Sequence, residues 1–266
     1  MIHESVDGFV LRTDDYKDNN RYLSVLTADK GRITLLAKGS RSLKGEQMAI
    51  SQPFVYGNFE YYKRGDFNIL KGGVCHRSFH GVSEDLTKYY LACYLCELML
   101  EMTDEGEEAY ELFRLTLNAM HALEKDLFPL SLIKGAVELR AAALSGYTPD
   151  LSGCAFCGKH NADPFYLHVM NGQLICADCL KRIGTHRYAH SDEEVRAAET
   201  IVMLSPAVTA AVRYCIDAPL NRLFLFSLED STDLTAFARL AQTYILSHLG
   251  RGFHSLAFYE SLDTPC

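Results

Sequence analysis

Residues 7–38 read DGFVLRTDDYKDNNRYLSVLTADKGRITLLAK, and three β-prone runs, DGFVLRT, RYLSVLT and RITLLAK, make up most of the stretch. Branched and aromatic side chains crowd each run, and turn residues such as Asp29-Lys30-Gly31 punctuate them. Two further runs follow, PFVYGNFEYYK at 53–63 and FNILKGGVCHRSF at 67–79, joined by Lys63-Arg64-Gly65-Asp66. Five short strands in so little chain predict a small closed barrel. The OB-fold is the common five-stranded barrel that handles nucleic acid, with an SH3-like barrel as the alternative.

From Val82 onward the periodicity turns helical. Ser83 is placed to cap a helix with Glu84 and Asp85 in its first turn, and the run to Met102 is apolar around much of its circumference. Thr103–Glu108 is an acidic break around Gly106, after which Ala109–Glu124 and Leu130–Leu144 read as helices, the latter ended by Gly146 and Pro149. Asp192–Leu204, Pro206–Ile216 and Leu234–Leu249 read as helices too. The fold class is therefore α+β: a barrel over residues 1–80 and a helical domain over 81–266, with a cysteine module inserted at about 151–183.

That module contains Cys154-x2-Cys157 and Cys176-x2-Cys179, a spacing that zinc ribbons and knuckles use. Gly158 supplies the freedom that a tight turn after the first pair requires. Asn171-Gly172 between apolar runs is a type I′ hairpin signature that would return the second pair to the first. Four thiolates then surround a Zn2+ with no open position, which is a structural rather than a catalytic site. A disulfide framework would need an oxidising compartment, yet MIHESVDGFVLRTDD has no charged segment followed by an apolar core. With no apolar run of about eighteen residues either, the expectation is a cytoplasmic chain without a membrane span, its thiols reduced. A redox pair would explain one CxxC and leave the other idle. Cys93-x2-Cys96 has the same spacing but sits in an apolar helical run, so it reads as core.

A formal charge of -8 argues at first against nucleic acid, but its distribution does not. Residues 1–80 carry +3 and residues 81–150 carry -8, so the acidity belongs to one helical stretch. Lys38, Arg41 and Lys44 lie among Gly and Ser after the third strand, where a basic loop would follow a phosphate backbone. Arg12, Arg21 and Arg32 extend the charge along the preceding strands, while Tyr16, Tyr22, Tyr56 and Tyr62 offer stacking surfaces, with core packing as the competing reading of most of the barrel's aromatics. Ordinary solvated surface charge is the competing reading of this cluster.

Catalytic signatures are missing from the sequence. No His-x-Glu precedes a Pro-Cys-x-x-Cys, as zinc deaminases require, and there is no His-Glu-x-x-His or phosphate-binding loop of the Walker type. His186 and His190 are four apart but read as surface or packing residues.

Three stretches, GFVLRTDDYKDNNRYLSVLTADKGRITLLAKGSR (8–41), ELRAAALSGYTPDLSGCAFCG (138–158) and HLGRGFHSLAFYES (248–261), together resemble the bacterial DNA repair and recombination mediator family RecO. The similarity runs in the same order over nearly the whole chain. It implies an OB-fold, a helical C-terminal domain and a four-cysteine zinc site at Cys154, Cys157, Cys176 and Cys179. It also implies binding of single- and double-stranded DNA, annealing of complementary strands, pairing with RecR, and help to RecA in displacing single-strand-binding protein. The acidic tail of that last partner ends in Phe and a free carboxylate, so its site needs an apolar pocket beside a cation. Lys134 and Arg140, in the helix that also carries Val137 and Leu139, are the candidates. A zinc-stapled protein-interaction scaffold without direct DNA binding is the alternative function.

Overall fold

The computed structural model describes residues 3–42, 47–187 and 200–263. They pack as two compact units, residues 1–127 with 253–266, and residues 128–252.

In the first unit β1 (His3–Tyr16), β2 (Asn20–Thr27), β3 (Arg32–Ala37), β4 (Val55–Arg64) and β5 (Phe67–Ser78) form a closed barrel in the order β1-β2-β3-β5-β4. Strands β3 and β5 are parallel and the other pairs antiparallel, which is the OB arrangement rather than the SH3-like one. Alternate residues fill the interior, among them Val6, Val10, Leu23, Val25, Ile33, Leu35, Phe59 and Leu70. At one mouth Tyr61 Oη donates to Glu4 (2.6 Å), and Lys30 Nζ donates to Glu4 and to Tyr61 Oη.

Helices α1 (Leu86–Glu101), α2 (Tyr110–Glu124) and α7 (His254–Asp263) complete this unit. The cap of α1 is Asp85, not Ser83: residues 80–84 form a 3-10 turn, and the extended backbone at Asp85 lets its carboxylate accept from Lys88 N–H. Cys96 is buried in α1, and burial pushes the Cys93 thiol up to about 11, so this CxxC is indeed packing. The helical segment is tied to the β2–β3 turn. Ala109 N–H donates to Ala28 O (2.8 Å), Gly106 N–H to Lys30 O (3.0 Å) and the Arg32 guanidinium to Leu100 O (2.9 Å).

The second unit holds α3 (Leu130–Leu144), α5 (Pro206–Asp217) and α6 (Ser231–Leu249) with a small sheet, β6 (Asp150–Cys154), β7 (Phe165–His168), β8 (Gln173–Cys176) and β9 (Ile201–Leu204), in the order β6-β8-β7-β9. Helix α4 (Ala177–Arg187) follows β8. The helix expected over 192–204 is corrected at its end: Ile201–Leu204 is a strand paired antiparallel with Phe165–His168. Those four apolar residues meet an open sheet edge, which overrides a local helical pattern. Thr200 is not helical either, and residues 192–199, like His190, lie outside the described residues. Helix α6 begins at Ser231 under an Asp230 cap and stops at Gly250, whose φ of 65° is the left-handed termination glycine favours. Gly135 lets α3 and α6 approach closely, since a Cβ there would lie 2.6 Å from the Phe237 ring. Among the described residues no helix is long and apolar enough to cross a membrane.

Among the described glycines of the first unit Gly31 is the most closely approached, with φ 60° and a would-be Cβ 2.0 Å from Asp104 O. Gly31→Ala should therefore destabilise the protein by about 1–3 kcal/mol, read as a lower urea midpoint at unchanged slope.

Candidate metal centre and nucleic-acid interface

Cys154 ends β6, and the chain turns at once: Gly158 N–H donates to Cys154 O (2.8 Å), with Gly158 at φ 72°. Cys176 ends β8 and Cys179 lies in the first turn of α4. The returning hairpin is present, but its loop is Val169–Gly172, with Gly172 at φ 61° and Asn171 outside the left-handed region. It is thus a four-residue loop rather than the expected type I′ turn, which needs both central residues at positive φ.

All four Sγ atoms lie within 4.8 Å of one another, and those of Cys157 and Cys176 are 3.7 Å apart. A tetrahedral ion with metal–sulfur bonds of about 2.3 Å needs sulfurs about 3.8 Å apart, so the cluster fits a metal ion. Three cysteines are buried and Cys157 is exposed. Burial pushes the Cys154 thiol up, but the N–H groups of Cys176, Phe156 and Cys157 outweigh it and bring it down to about 6. Burial and the neighbouring thiols push Cys179 up to about 12, against the opposing effect of Arg182. Arg182 donates to Cys179 Sγ at 2.8 Å, a partner that sequence reading missed, although three residues along a helix is one turn.

The basic residues of the barrel do not form one face. Arg21 and Arg41 converge on Asp15, at 3.1 and 3.4 Å. Arg12 pairs with Asp14 at 2.9 Å, and strand alternation puts Asp14 and Asp15 on opposite sides of the hairpin. Arg32 is spent on the carbonyl end of α1. Lys38 is exposed and, among the described residues, in no ion pair; Lys44 lies outside the described residues. The Tyr16 and Tyr22 rings meet at a tilt, their centroids 4.8 Å apart, with Lys17 over the Tyr16 ring (5.1 Å), whereas Tyr56 packs on His76 and Phe113.

Lys134 and Arg140 are both buried. Lys134 Nζ pairs with Glu138 (3.0 Å) and donates to Gln242 (2.7 Å), and Arg140 donates to Cys215 O (2.8 Å) and Ala218 O. An open cleft of about 480 Å³ in the same unit is lined by Lys159, Arg213, Phe165, Pro206, Thr209 and Ala210, among others.

Comparison with known proteins gives matches over the whole described fold. A family model described as Recombination protein O N terminal matches residues 1–79, and one described as Recombination protein O C terminal matches residues 83–257. The chain is similar to the DNA repair protein RecO of Acetivibrio thermocellus, at 25% identity over 264 residues, 99% of this chain and 98% of the relative. It is 30% identical to the DNA repair protein RecO of Bacillus velezensis over 258 residues, 97% of this chain and 94% of the relative. The RecO of Shouchella clausii is 28% identical over 257 residues, again 97% and 94%.

Elemental analysis of reduced, purified protein should find one metal ion per chain, and Cys154→Ser or Cys176→Ser should lose it. Retention should fall as pH drops, because the ligating sulfurs must be thiolates. Arg182→Ala should weaken metal affinity by about 10- to 100-fold, measured by chelator competition.

Proposed function

This chain belongs to the RecO family of DNA repair and recombination proteins, non-enzymatic recombination mediators, and on that premise we propose that it binds single- and double-stranded DNA and anneals complementary strands. With RecR it would help RecA load onto strands coated by single-strand-binding protein, working in the cytoplasm at the nucleoid. The observation that carries this reading is the closed OB-type barrel with Lys38 exposed at the end of β3 and Arg41 beside it.

The chemistry is electrostatic. Annealing brings two polyanions together, so a surface that neutralises phosphates while leaving base edges free lowers the barrier without breaking a bond. Residues 1–80 would hold the backbone through Lys38, Arg41 and Lys44, with Arg12 and Arg21 contributing where phosphate displaces Asp14 or Asp15. Residues 81–266 would recruit the protein partners. The four-cysteine cluster at Cys154, Cys157, Cys176 and Cys179 would hold Zn2+, which with four thiolates and no open position serves folding rather than catalysis.

One observation favours the scaffold reading: Arg12, Arg21 and Arg41 already have carboxylate partners within the barrel. Oligonucleotide titration across salt separates the two. Replacing Lys38, Arg41 and Lys44 together by Ala should weaken binding to all sequences alike and flatten the log–log salt dependence by roughly two to three units. A wild-type protein without salt-dependent binding leaves the scaffold.

For the acidic tail of single-strand-binding protein, a grip by Lys134 or Arg140 requires them to leave buried partners. The cleft at Lys159 and Arg213 already sets cations beside Phe165, Pro206 and Ala210. A labelled tail peptide should bind Lys159→Glu/Arg213→Glu protein at least about tenfold more weakly, since a charged partner contributes about 1.5–3 kcal/mol. Unaltered affinity there, with a loss in folded Lys134→Met or Arg140→Met protein, assigns the tail to α3.

A further inference from the structure

We propose that the open apolar stripe shared by α1 and α7 is a docking surface for a cationic amphipathic helix of a protein partner. It deepens the reading that residues 81–266 recruit partners, by naming one surface that does so and the chemistry it selects.

Helix α1, LTKYYLACYLCELMLE, is apolar almost all round, and a helix of that kind is a buried one. Most of it is covered: Leu91, Ala92, Tyr94, Leu95 and Leu98 are each at most 1% exposed. One stripe escapes. Leu86, Tyr90 and Cys93 succeed one another at one-turn spacing on a single face, with Leu86 58% exposed and the other two half-buried. Capping does not account for Leu86, because the cap of α1 is the Asp85 carboxylate on Lys88 N–H.

Helix α7 supplies the second ridge. It runs antiparallel to α1: Ser255 Oγ donates to Glu97 (2.6 Å), the Tyr94 ring meets Phe253 at 5.4 Å, and Tyr90 stacks on Phe258 at 5.1 Å and 21°. Leu256 and Tyr259 turn inward, while Phe258 and Leu262, one turn apart, are 55% and 42% exposed. The Tyr90–Phe258 stack is thus flanked by Leu86 and Leu262, each one turn further along its own helix towards the same end. Two such ridges side by side form the groove that receives a third helix. From Leu86 to Cys93 is about 10 Å, so two or three turns of a partner fill it.

Charge selects the occupant. Residues 84–101 carry four carboxylates and one lysine, and that lysine, Lys88, is held by Asp126 at 2.6 Å. Residues 254–262 carry Glu260 and neither Lys nor Arg. Exposed Glu84 and Asp85 stand at the Leu86 end of the stripe. Nucleic acid and an anionic lipid surface are both repelled by such a rim. A second copy would bring the same carboxylates to both sides of a two-fold interface, where like charges cost specificity and affinity. A helix with an apolar face and flanking Lys or Arg satisfies both the stripe and its rim.

The probe is a labelled amphipathic peptide of about three turns, Leu on one face and Lys elsewhere, titrated against the full chain beside the same peptide with Glu for Lys. The Lys peptide should bind saturably and the Glu peptide should not. Leu86→Ser and Phe258→Ser should each weaken binding roughly tenfold or more, as loss of a central apolar anchor does. Leu86→Ser carries the test if Phe258→Ser lowers the urea midpoint. Glu84→Gln/Asp85→Asn protein, in which Asn still caps α1, should lose affinity at low salt and little at high salt. Oligonucleotide binding should stay at the wild-type level in every variant, so the mediator reading and this surface fail separately. Equal binding of both peptides, wild-type affinity in folded Leu86→Ser protein, or no saturable binding overturns the inference. So does a wild-type dimer that Leu86→Ser dissociates in sedimentation, which makes a second copy the occupant, or binding to phosphatidylglycerol vesicles that Leu86→Ser abolishes.

Discussion

Closure of the barrel depends on β1, which runs from His3 to Tyr16 and pairs on both its edges, with β2 through Gly8–Tyr16 and with β4 through His3–Phe9. The parallel β3–β5 contact has only two partner pairs, so it could not hold the ring alone. The irregularity between Val10 and Arg12 bends β1 as it passes from one partner to the other. Once the ring is closed, the turns at its ends have nowhere to move. The β1–β2, β2–β3 and β4–β5 connections each acquire a fixed address: the first presents Tyr16 and Tyr22, the second is clamped by the 104–109 segment, and the third projects Phe67.

Much of that was readable before any coordinates. All five strands follow from β-prone runs bounded by turn residues, and Gly31 and Gly65 have the positive φ their turns demand. The cysteine spacing announced its own geometry, because two x2 gaps and a hairpin leave little else for four sulfurs to do. The failures share a cause, which is that a local pattern does not state its tertiary partner. Residues 201–204 are a strand because β7 offers an edge. Asp85 caps α1 because the preceding residues form a 3-10 turn. Arg32, Lys134 and Arg140 read as surface cations, yet the first serves Leu100 O, the second Glu138 and the third Cys215 O.

Charge pairing within the barrel bears on how an acidic protein would meet a polyanion. Arg12, Arg21 and Arg41 each lie within 3.4 Å of a carboxylate, so a phosphate contact there exchanges one anion for another and gains less than a bare cation would. Exposed pairs of this kind contribute about 0–1 kcal/mol, which keeps the exchange possible but makes it sensitive to salt. Lys38, Arg64 and Lys71 have no such competitor among the described residues, so in DNA binding they would set the floor of affinity and the paired arginines would modulate it.

In the second unit the small sheet is held at its two ends by different physics. Its β6–β8 contact is only Asp150↔Gln173 and Cys154↔Leu174, with an irregularity between them, too little to hold by backbone pairing. At the cysteine end a metal would join β6, the following turn, β8 and α4 through four sulfurs. At the hairpin end the helices take over: Tyr244 Oη donates to Tyr147 O (3.0 Å), His248 Nε2 donates to Val169 O (3.2 Å), and a Cβ on Gly172 would come within 3.1 Å of Tyr244 Oη. Arg140 meanwhile binds α3 to the end of α5 without involving the sheet. Loss of such a metal would therefore release one end of a doubly held element. The expected consequence is local unfolding around Cys154–Cys157 and α4, with α3, α5 and α6 keeping their packing.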